Sequence, residues 1–143
     1  MSFDFTLKAY GELLNGMKEC GYDFYTMSDW IKSKPCKGVV IRHDVDRSAI
    51  NSLRTAELER KLNIKATYYF RMTKNSFREE IIKKITEMGH EAGYHYEDLT
   101  THGGDKAKAI QSFARNLALL REHAEIKTIA MHGKPLSRIN NLD

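Results

Sequence analysis

The sequence predicts an α/β protein, a partial or distorted (β/α) barrel with parallel strands, and two observations support this class. From residue 38 onward, β-forming segments alternate strictly with helical segments, which favours a parallel sheet joined by right-handed crossovers. Acidic residues and histidines stand where these β-segments end, and active sites lie at the carboxyl edge of a parallel sheet. The 143 residues suit one domain, with a helical N-terminal segment over 1–36 and strand–helix units over 38–143.

The N-terminal segment is predicted to contain two helical pieces. Residues 7–19 carry apolar side chains at helical spacing, and Gly21 ends this helix. Those side chains are Leu7, Tyr10, Leu14 and Met17. Residues 28–31 begin with serine, which is favoured at helix N-caps, and they predict a short capped turn.

Four strands and three helices are predicted after this segment. The strands are 39–44, 65–72, 91–96 and 126–131, and the second is rich in β-forming residues. The first helix covers residues 48–62. The second begins with a capping box at Ser76 and ends at Gly89, and Asp105 caps the third.

The composition of the chain indicates which kinds of partner and which cellular compartment to expect. The net charge of +4 is small, and no lysine- or arginine-rich block of the kind that binds nucleic acid is present. The chain lacks a signal-peptide pattern and any apolar run of membrane-spanning length, so a cytoplasmic protein without a membrane span is expected. Cys20 and Cys36 are too far apart for a close-spaced metal or redox motif and are expected to be reduced.

Two strand ends carry pairs of polar residues. Asp44 and Asp46 end the first strand, and His95 and Glu97 end the third. Because side chains alternate with period two along a strand, each pair projects from one face. The aspartates could instead cap the next helix, but Ser48 already serves that purpose. Carboxylates and imidazoles at neighbouring strand ends are typical of a metal-assisted hydrolytic site.

The other histidines are assigned by their positions. His132 follows the fourth strand, and three roles stay open for it: metal ligand, general acid or structural residue. Catalytic zinc sites use about three protein ligands, so His95 and the nearby acids are sufficient in number. His90 and His123 are predicted at helix ends or on the surface.

Three segments occur in an ordered series. Residues 42–46 read Arg-His-Asp-Val-Asp, 63–69 read Asn-Ile-Lys-Ala-Thr-Tyr-Tyr, and 89–93 read Gly-His-Glu-Ala-Gly shortly before His95. In order and spacing they resemble motifs of the polysaccharide deacetylase family, carbohydrate esterase family four. The chain is similar to a branch with His-Asp-Val-Asp and Tyr-His-Tyr-Glu signatures, tied to surface-polysaccharide biosynthesis. The resemblance covers roughly residues 20–137.

The resemblance implies a divalent metal, zinc or else cobalt or nickel, and hydrolysis of an N- or O-acetyl group on a sugar or polysaccharide precursor. Asp44 matches the catalytic base of the family, and His95 matches its first metal-binding histidine. A metal on Asp46, His95 and Glu97 would polarise the acetyl carbonyl and bind the attacking water. Asp44 would take the proton from that water, and His132 would protonate the leaving amine.

The chain departs from the family at two metal positions. Val45 follows the base where the family has a metal-binding aspartate, so that role passes to Asp46. Leu99 stands at the place of the second histidine and cannot coordinate, so Glu97 or His132 must substitute.

The predicted strands are fewer than those of a family catalytic domain, so a truncated or short form is expected. A partial sheet leaves an uncovered edge, which favours a homo-oligomer or a second chain that covers it. Two alternative functions stay open. One is a binding or remnant module without turnover, and the other is a metal hydrolase that acts on another C–N bond.

Overall fold

The computed structural model of the chain describes residues 5–133 and 137–142. Within these residues, six helices and six strands follow one another. The helices are α1 (Leu7–Glu19), α2 (Met27–Ser33), α3 (Ala49–Lys61), α4 (Glu79–Glu87), α5 (Asp98–Thr101) and α6 (Lys106–Arg121). The strands are β1 (Asp23–Tyr25), β2 (Gly38–Val40), β3 (Arg42–Val45), β4 (Thr67–Phe70), β5 (Glu91–Tyr96) and β6 (Ile129–Met131).

The main sheet has four parallel strands in the order β3-β4-β5-β6 and curls into half of a barrel. Its register places Asp44 beside Tyr69, Tyr69 beside Gly93, and Tyr96 beside Met131. This architecture confirms the predicted α/β class with parallel strands and a partial barrel. Within the described part of the chain, β3 and β6 each have one neighbour in this sheet, so both of its edges are open.

A second, small sheet pairs β1 with β2 in parallel. The prediction of one strand over residues 39–44 is wrong, because the chain leaves the small sheet at Ile41 and enters the main sheet as β3. β1 was not predicted, because the alternation of apolar and polar side chains cannot be recognised over only three residues. At Gly38, a Cβ would lie 2.8 Å from the ring of Tyr25 and 3.0 Å from that of Trp30, so this close packing requires glycine.

Side-chain capping sets the starts of two predicted helices. Ser48 and Asp105 accept hydrogen bonds from backbone N–H groups at the starts of α3 and α6, which confirms both predicted caps. The capping box predicted at Ser76 is wrong. Its buried hydroxyl instead accepts the N–H of Arg71 at 2.9 Å, and α4 begins later without a side-chain cap.

The hydrophobic core lies between the outer face of the main sheet and helices α3, α4 and α6. Its strand residues are Val45, Tyr68, Phe70, Ala92 and Tyr94, and its helix residues include Ala56, Ile82, Ile85 and Leu120. Strand residues that alternate with these face the other way, into the half-barrel. The apolar outer face thus fixes the sheet, while the inner face carries the polar residues.

The inner face is closed at its amino-terminal end by α2, which Thr26 caps. The buried carboxylate of Glu91 accepts the N–H of Ser28 at 2.9 Å and the hydroxyls of Thr67 at 3.0 Å and Thr128 at 2.7 Å. A buried carboxylate with three donors is satisfied as a structural group. The groups that remain for chemistry therefore lie at the opposite, carboxyl end of the strands.

The helices and the cysteines bear on two expectations from composition, the absence of a membrane span and reduced thiols. None of the helices in the described ranges is long and apolar enough to cross a membrane. Cys20 and Cys36 are both exposed, and neither forms a disulfide.

Candidate metal centre

Three side chains from three strand ends meet at the carboxyl edge of the half-barrel: Asp46, His95 and His132. Asp46 follows β3, where its N–H donates to Asp44 O at 3.1 Å and turns the chain. His95 lies within β5. His132 directly follows β6, and its N–H donates to Tyr96 O at 2.8 Å. The parallel register of the strands therefore brings these three residues to one place.

The donor atoms of this group are close enough to share one ion. His132 Nδ1 lies 3.1 Å from His95 Nε2 and 3.3 Å from Asp46 Oδ1. His95 Nε2 lies 3.7 Å from the same oxygen. In a tetrahedral zinc site with bonds of about 2.0–2.2 Å, neighbouring donor atoms lie about 3.3–3.6 Å apart. The three separations lie within about 0.2 Å of this range, so the group could hold a metal ion.

The environment of Asp46 Oδ1 tests whether these residues suit a cation. This oxygen is buried, and it accepts no hydrogen bond from any described residue. A buried carboxylate oxygen without a donor is costly, and coordination to a cation removes that cost. Two imidazoles with one carboxylate are also a common donor set of catalytic metal sites. The residues fit a divalent cation on both grounds.

His95 is held in the form that binds a metal. Its side chain is 2% exposed, and its Nδ1 donates to Ala130 O at 3.0 Å, which directs the Nε2 lone pair toward Asp46 and His132. Burial lowers the pKa of His95, and the effect outweighs the hydrogen bond to Ala130 and the charges of Asp44 and Asp46, which raise it. The imidazole is therefore neutral at neutral pH, as a metal ligand must be.

Asp44 lies beside the group, with Oδ2 3.5 Å from His95 Nε2. Arg42, two residues earlier on the same strand, donates to both carboxylate oxygens at 2.7 and 3.0 Å. The guanidinium also lies over the Tyr69 ring, 5.0 Å from its centroid. The Asp44 side chain is 37% exposed, so water reaches it. An oriented, accessible carboxylate at this position is suited to proton transfer.

Glu97 lies outside the group. Arg71 follows β4 and donates to Glu97 Oε1 through Nε at 2.8 Å and through Nη2. The third guanidinium nitrogen lies 3.9 Å from Asp46 Oδ1. The structure thus brings Asp46 and His95 together as two of the three predicted ligands. The third member is His132, for which the sequence left a ligand role open beside proton donation, whereas Glu97 is in an ion pair with Arg71.

Three further residues shape the site, and no role was predicted for them from the sequence. Arg42 shares a face with Asp44 by period-two alternation, and Arg71 follows a strand that ends at the same edge, so both were recoverable from the predicted strands. At Gly93, a Cβ would overlap the Tyr69 ring and lie 2.9 Å from a backbone oxygen, so β5 accepts only glycine there. The predicted strand 91–96 contains this glycine, and a glycine inside a strand is a signal of close packing, but the sequence does not identify Tyr69 as the packing partner.

No family model, no curated protein and no solved structure matches this chain. The resemblance to polysaccharide deacetylases therefore rests on the motif residues alone. The geometry independently provides a His-His-Asp group that could hold a metal ion at the carboxyl edge of a parallel half-barrel.

Proposed function

We propose that this protein is a metal-dependent hydrolase that removes an acetyl group from an N- or O-acetylated sugar. The observation that carries the proposal is the convergence of Asp46, His95 and His132, in which the buried Asp46 Oδ1 accepts no hydrogen bond from the described residues. The carboxylate of Asp44 beside this group supplies a second catalytic element. The motif resemblance supports the choice of an acetylated sugar among possible substrates.

The metal would be held by Asp46 Oδ1, His95 Nε2 and His132 Nδ1. We propose zinc, with cobalt or nickel as substitutes, because imidazole nitrogens with one carboxylate suit these ions. When bound, such an ion supplies Lewis acidity toward the acyl carbonyl and lowers the pKa of a water molecule. His132 belongs to this ligand set rather than to proton donation, because its Nδ1 faces the other two donor atoms.

Asp44 is the proposed general base. Arg42 holds both of its carboxylate oxygens, which fixes the plane of the group beside the metal ligands. In this orientation Asp44 accepts a proton from the attacking water and then returns it to the leaving atom of the sugar. The pair formed by Arg71 and Glu97 stays outside these proton transfers and keeps the Glu97 carboxylate engaged.

A binding module without turnover is the second candidate, and one observation favours it. The side chains of Asp44 and Asp46 are 37% and 40% exposed, because β3 is an open edge of the sheet in the described part of the chain. Hydrolases of this kind exclude bulk water from the reacting groups. Both candidates bind a metal, and only the first one turns over substrate.

Acetate release separates the two candidates. Zinc-loaded wild-type protein is expected to release acetate from N-acetylglucosamine oligomers or an O-acetylated polysaccharide, and His95→Ala to release none. His102→Ala is the matched control, because this histidine follows α5 as its C-cap and its side chain has no hydrogen bond or ion pair with the described residues. Zinc binding without acetate release would support the binding module, and hydrolysis of small amides or ureides alone would indicate another C–N hydrolase.

A further inference from the structure

Asn141 connects the two segments that follow the histidine-bearing strands. It lies near the end of the described chain and is buried. Its Nδ2 donates to His132 O at 3.1 Å, and its Oδ1 accepts the N–H of Thr100 at 2.8 Å. Thr100 belongs to α5, the turn that directly follows β5. One side-chain amide therefore bridges the residues after β5 and the residue after β6.

In the described part of the chain, the main sheet contacts His132 on one side only, and the bridge acts on the other side. The N–H of His132 donates to Tyr96 O, but β6 is an open edge of the sheet in the described ranges. Asn141 supplies the hydrogen bond to the His132 carbonyl that a further strand would otherwise provide. The exposed Gly133 follows immediately and offers little packing to hold the backbone in place. His132 is thus fixed by one strand on its N–H and by Asn141 on its carbonyl.

We propose that Asn141 is a positioning residue of the metal centre, which keeps His132 Nδ1 directed at His95 Nε2 and Asp46 Oδ1. The inference rests on the metal site of the proposed function, and it does not depend on the reaction. Groups that hydrogen-bond to metal ligands set the ligand orientation and strongly affect the affinity for the metal. Asn141 would set the orientation of His132 through the backbone carbonyl of that histidine rather than through its imidazole ring.

The test compares Asn141→Asp with Asn140→Asp. The first variant keeps an oxygen for the N–H of Thr100 but loses the donor to His132 O. The second adds the same charge one residue earlier, where the Asn140 side chain is exposed and accepts the N–H of Leu142, its one hydrogen bond among the described residues. Zinc affinity is measured by competition with a chromophoric chelator, and cobalt absorption reports the coordination geometry. Thermal unfolding of the metal-free proteins is recorded in parallel.

The proposal expects Asn141→Asp to weaken zinc binding about 10-fold or more and to alter the cobalt spectrum, while Asn140→Asp matches the wild type. The added negative charge would by itself favour a cation, so a loss of affinity is not a charge effect. Asn141→Ala, which adds no charge, should weaken zinc binding in the same direction. Wild-type affinity in both Asn141 variants, with lowered thermal stability alone, would make Asn141 merely structural and overturn the proposal. Wild-type protein that binds neither zinc nor cobalt would overturn the metal site and this inference together.

Discussion

Glu59 on α3 is a carboxylate with no exposed surface, and side chains from three other elements donate to it. The hydroxyls of Tyr10 and Tyr68 donate at 2.5 Å each, and His43 Nε2 donates at 2.7 Å. Burial acts to raise the pKa of Glu59, but His43 and the two tyrosines outweigh it, so the pKa is lowered. Burial and the same carboxylate raise the pKa values of both tyrosines. Glu59 is therefore an ionised group that joins α1, α3 and the main sheet.

The first prediction concerns this carboxylate and stability. Glu59→Gln leaves at least one buried donor without an acceptor, and we expect it to lower the free energy of unfolding by about 3 kcal/mol. Glu57→Gln on the exposed side of the same helix should change it by no more than about 0.5 kcal/mol. Urea unfolding followed by circular dichroism measures both. Equal stability of the two variants would show that the buried cluster is energetically neutral.

The second prediction concerns pH. The lowered pKa means that folded Glu59 binds fewer protons than unfolded Glu59 as the pH falls below about 4.3, the ordinary glutamate value. Its contribution to stability is therefore complete above that value and is lost as the pH falls through the lower folded pKa. We expect the urea midpoint of the wild type to drop more steeply below pH 4.3 than that of Glu59→Gln. Parallel pH profiles of the two proteins would contradict this.

The third prediction separates two neighbouring aspartates. Asp44→Asn should retain zinc and lose about 10²–10⁴-fold in acetate-release rate, because it removes a general base. Asp46→Asn should lose zinc, because it weakens the only carboxylate in the donor group. Metal content by mass spectrometry is measured beside the rate. If Asp44→Asn loses zinc as completely as Asp46→Asn, the two roles must be exchanged.

At the scale of single elements, β5 illustrates how closely the inner face is packed. A Cβ at Gly93 would overlap the Tyr69 ring, whose hydroxyl donates to Thr128, whereas a Cβ at Gly16 in α1 meets no atom within 4 Å. We expect Gly93→Ala to lower the free energy of unfolding by about 1–3 kcal/mol through overpacking. Gly16→Ala should raise it by about 0.5–1 kcal/mol through helix propensity. Thermal unfolding of both variants checks the opposite signs.

The elements also show which features the sequence could predict. Alternation of β-forming and helical segments predicted β4, β5 and β6, but it merged β2 and β3 into one strand over residues 39–44. Period-two spacing placed Asp46 and His95 at strand ends, each on one face with its neighbour. β1 and α5 were not predicted, because three or four residues carry too little periodicity, whereas the equally short β6 was predicted from its place after a helix in the strand–helix alternation. Glu59 and His90 were missed for another reason. Their partners come from distant segments, so a charged residue on a weakly periodic helix and a histidine at a helix end both resembled surface residues.

At the scale of the whole molecule, the open edges of the main sheet lead to the last prediction. The described part of β6 has β5 as its one neighbour, and Ile129 on this strand is 49% exposed. Unpaired strand edges with apolar side chains favour association between chains. We expect the protein to self-associate through this edge, and Ile129→Lys to shift it toward the monomer.

The control for that experiment is Ile50→Lys, which changes a similarly exposed isoleucine on α3, away from the sheet edge. Sedimentation velocity at several concentrations distinguishes the two variants. A wild-type protein that stays monomeric at high concentration would show that neither edge needs a partner.

The close packing around Gly38 also determines which part of the molecule tryptophan fluorescence reports on. Trp30 is the only tryptophan, and its ring lies edge-on to Tyr25 with their centroids 6.1 Å apart, beside the small sheet. Its fluorescence therefore follows the opening of α2 and the small sheet, whereas the absorption of cobalt bound at the proposed metal centre would follow the histidine-bearing strand ends. A denaturant titration that records both signals on one sample therefore follows the unfolding of two separate parts of the molecule. Transitions at different denaturant concentrations would reveal that the amino-terminal closure of the half-barrel opens as its own cooperative unit.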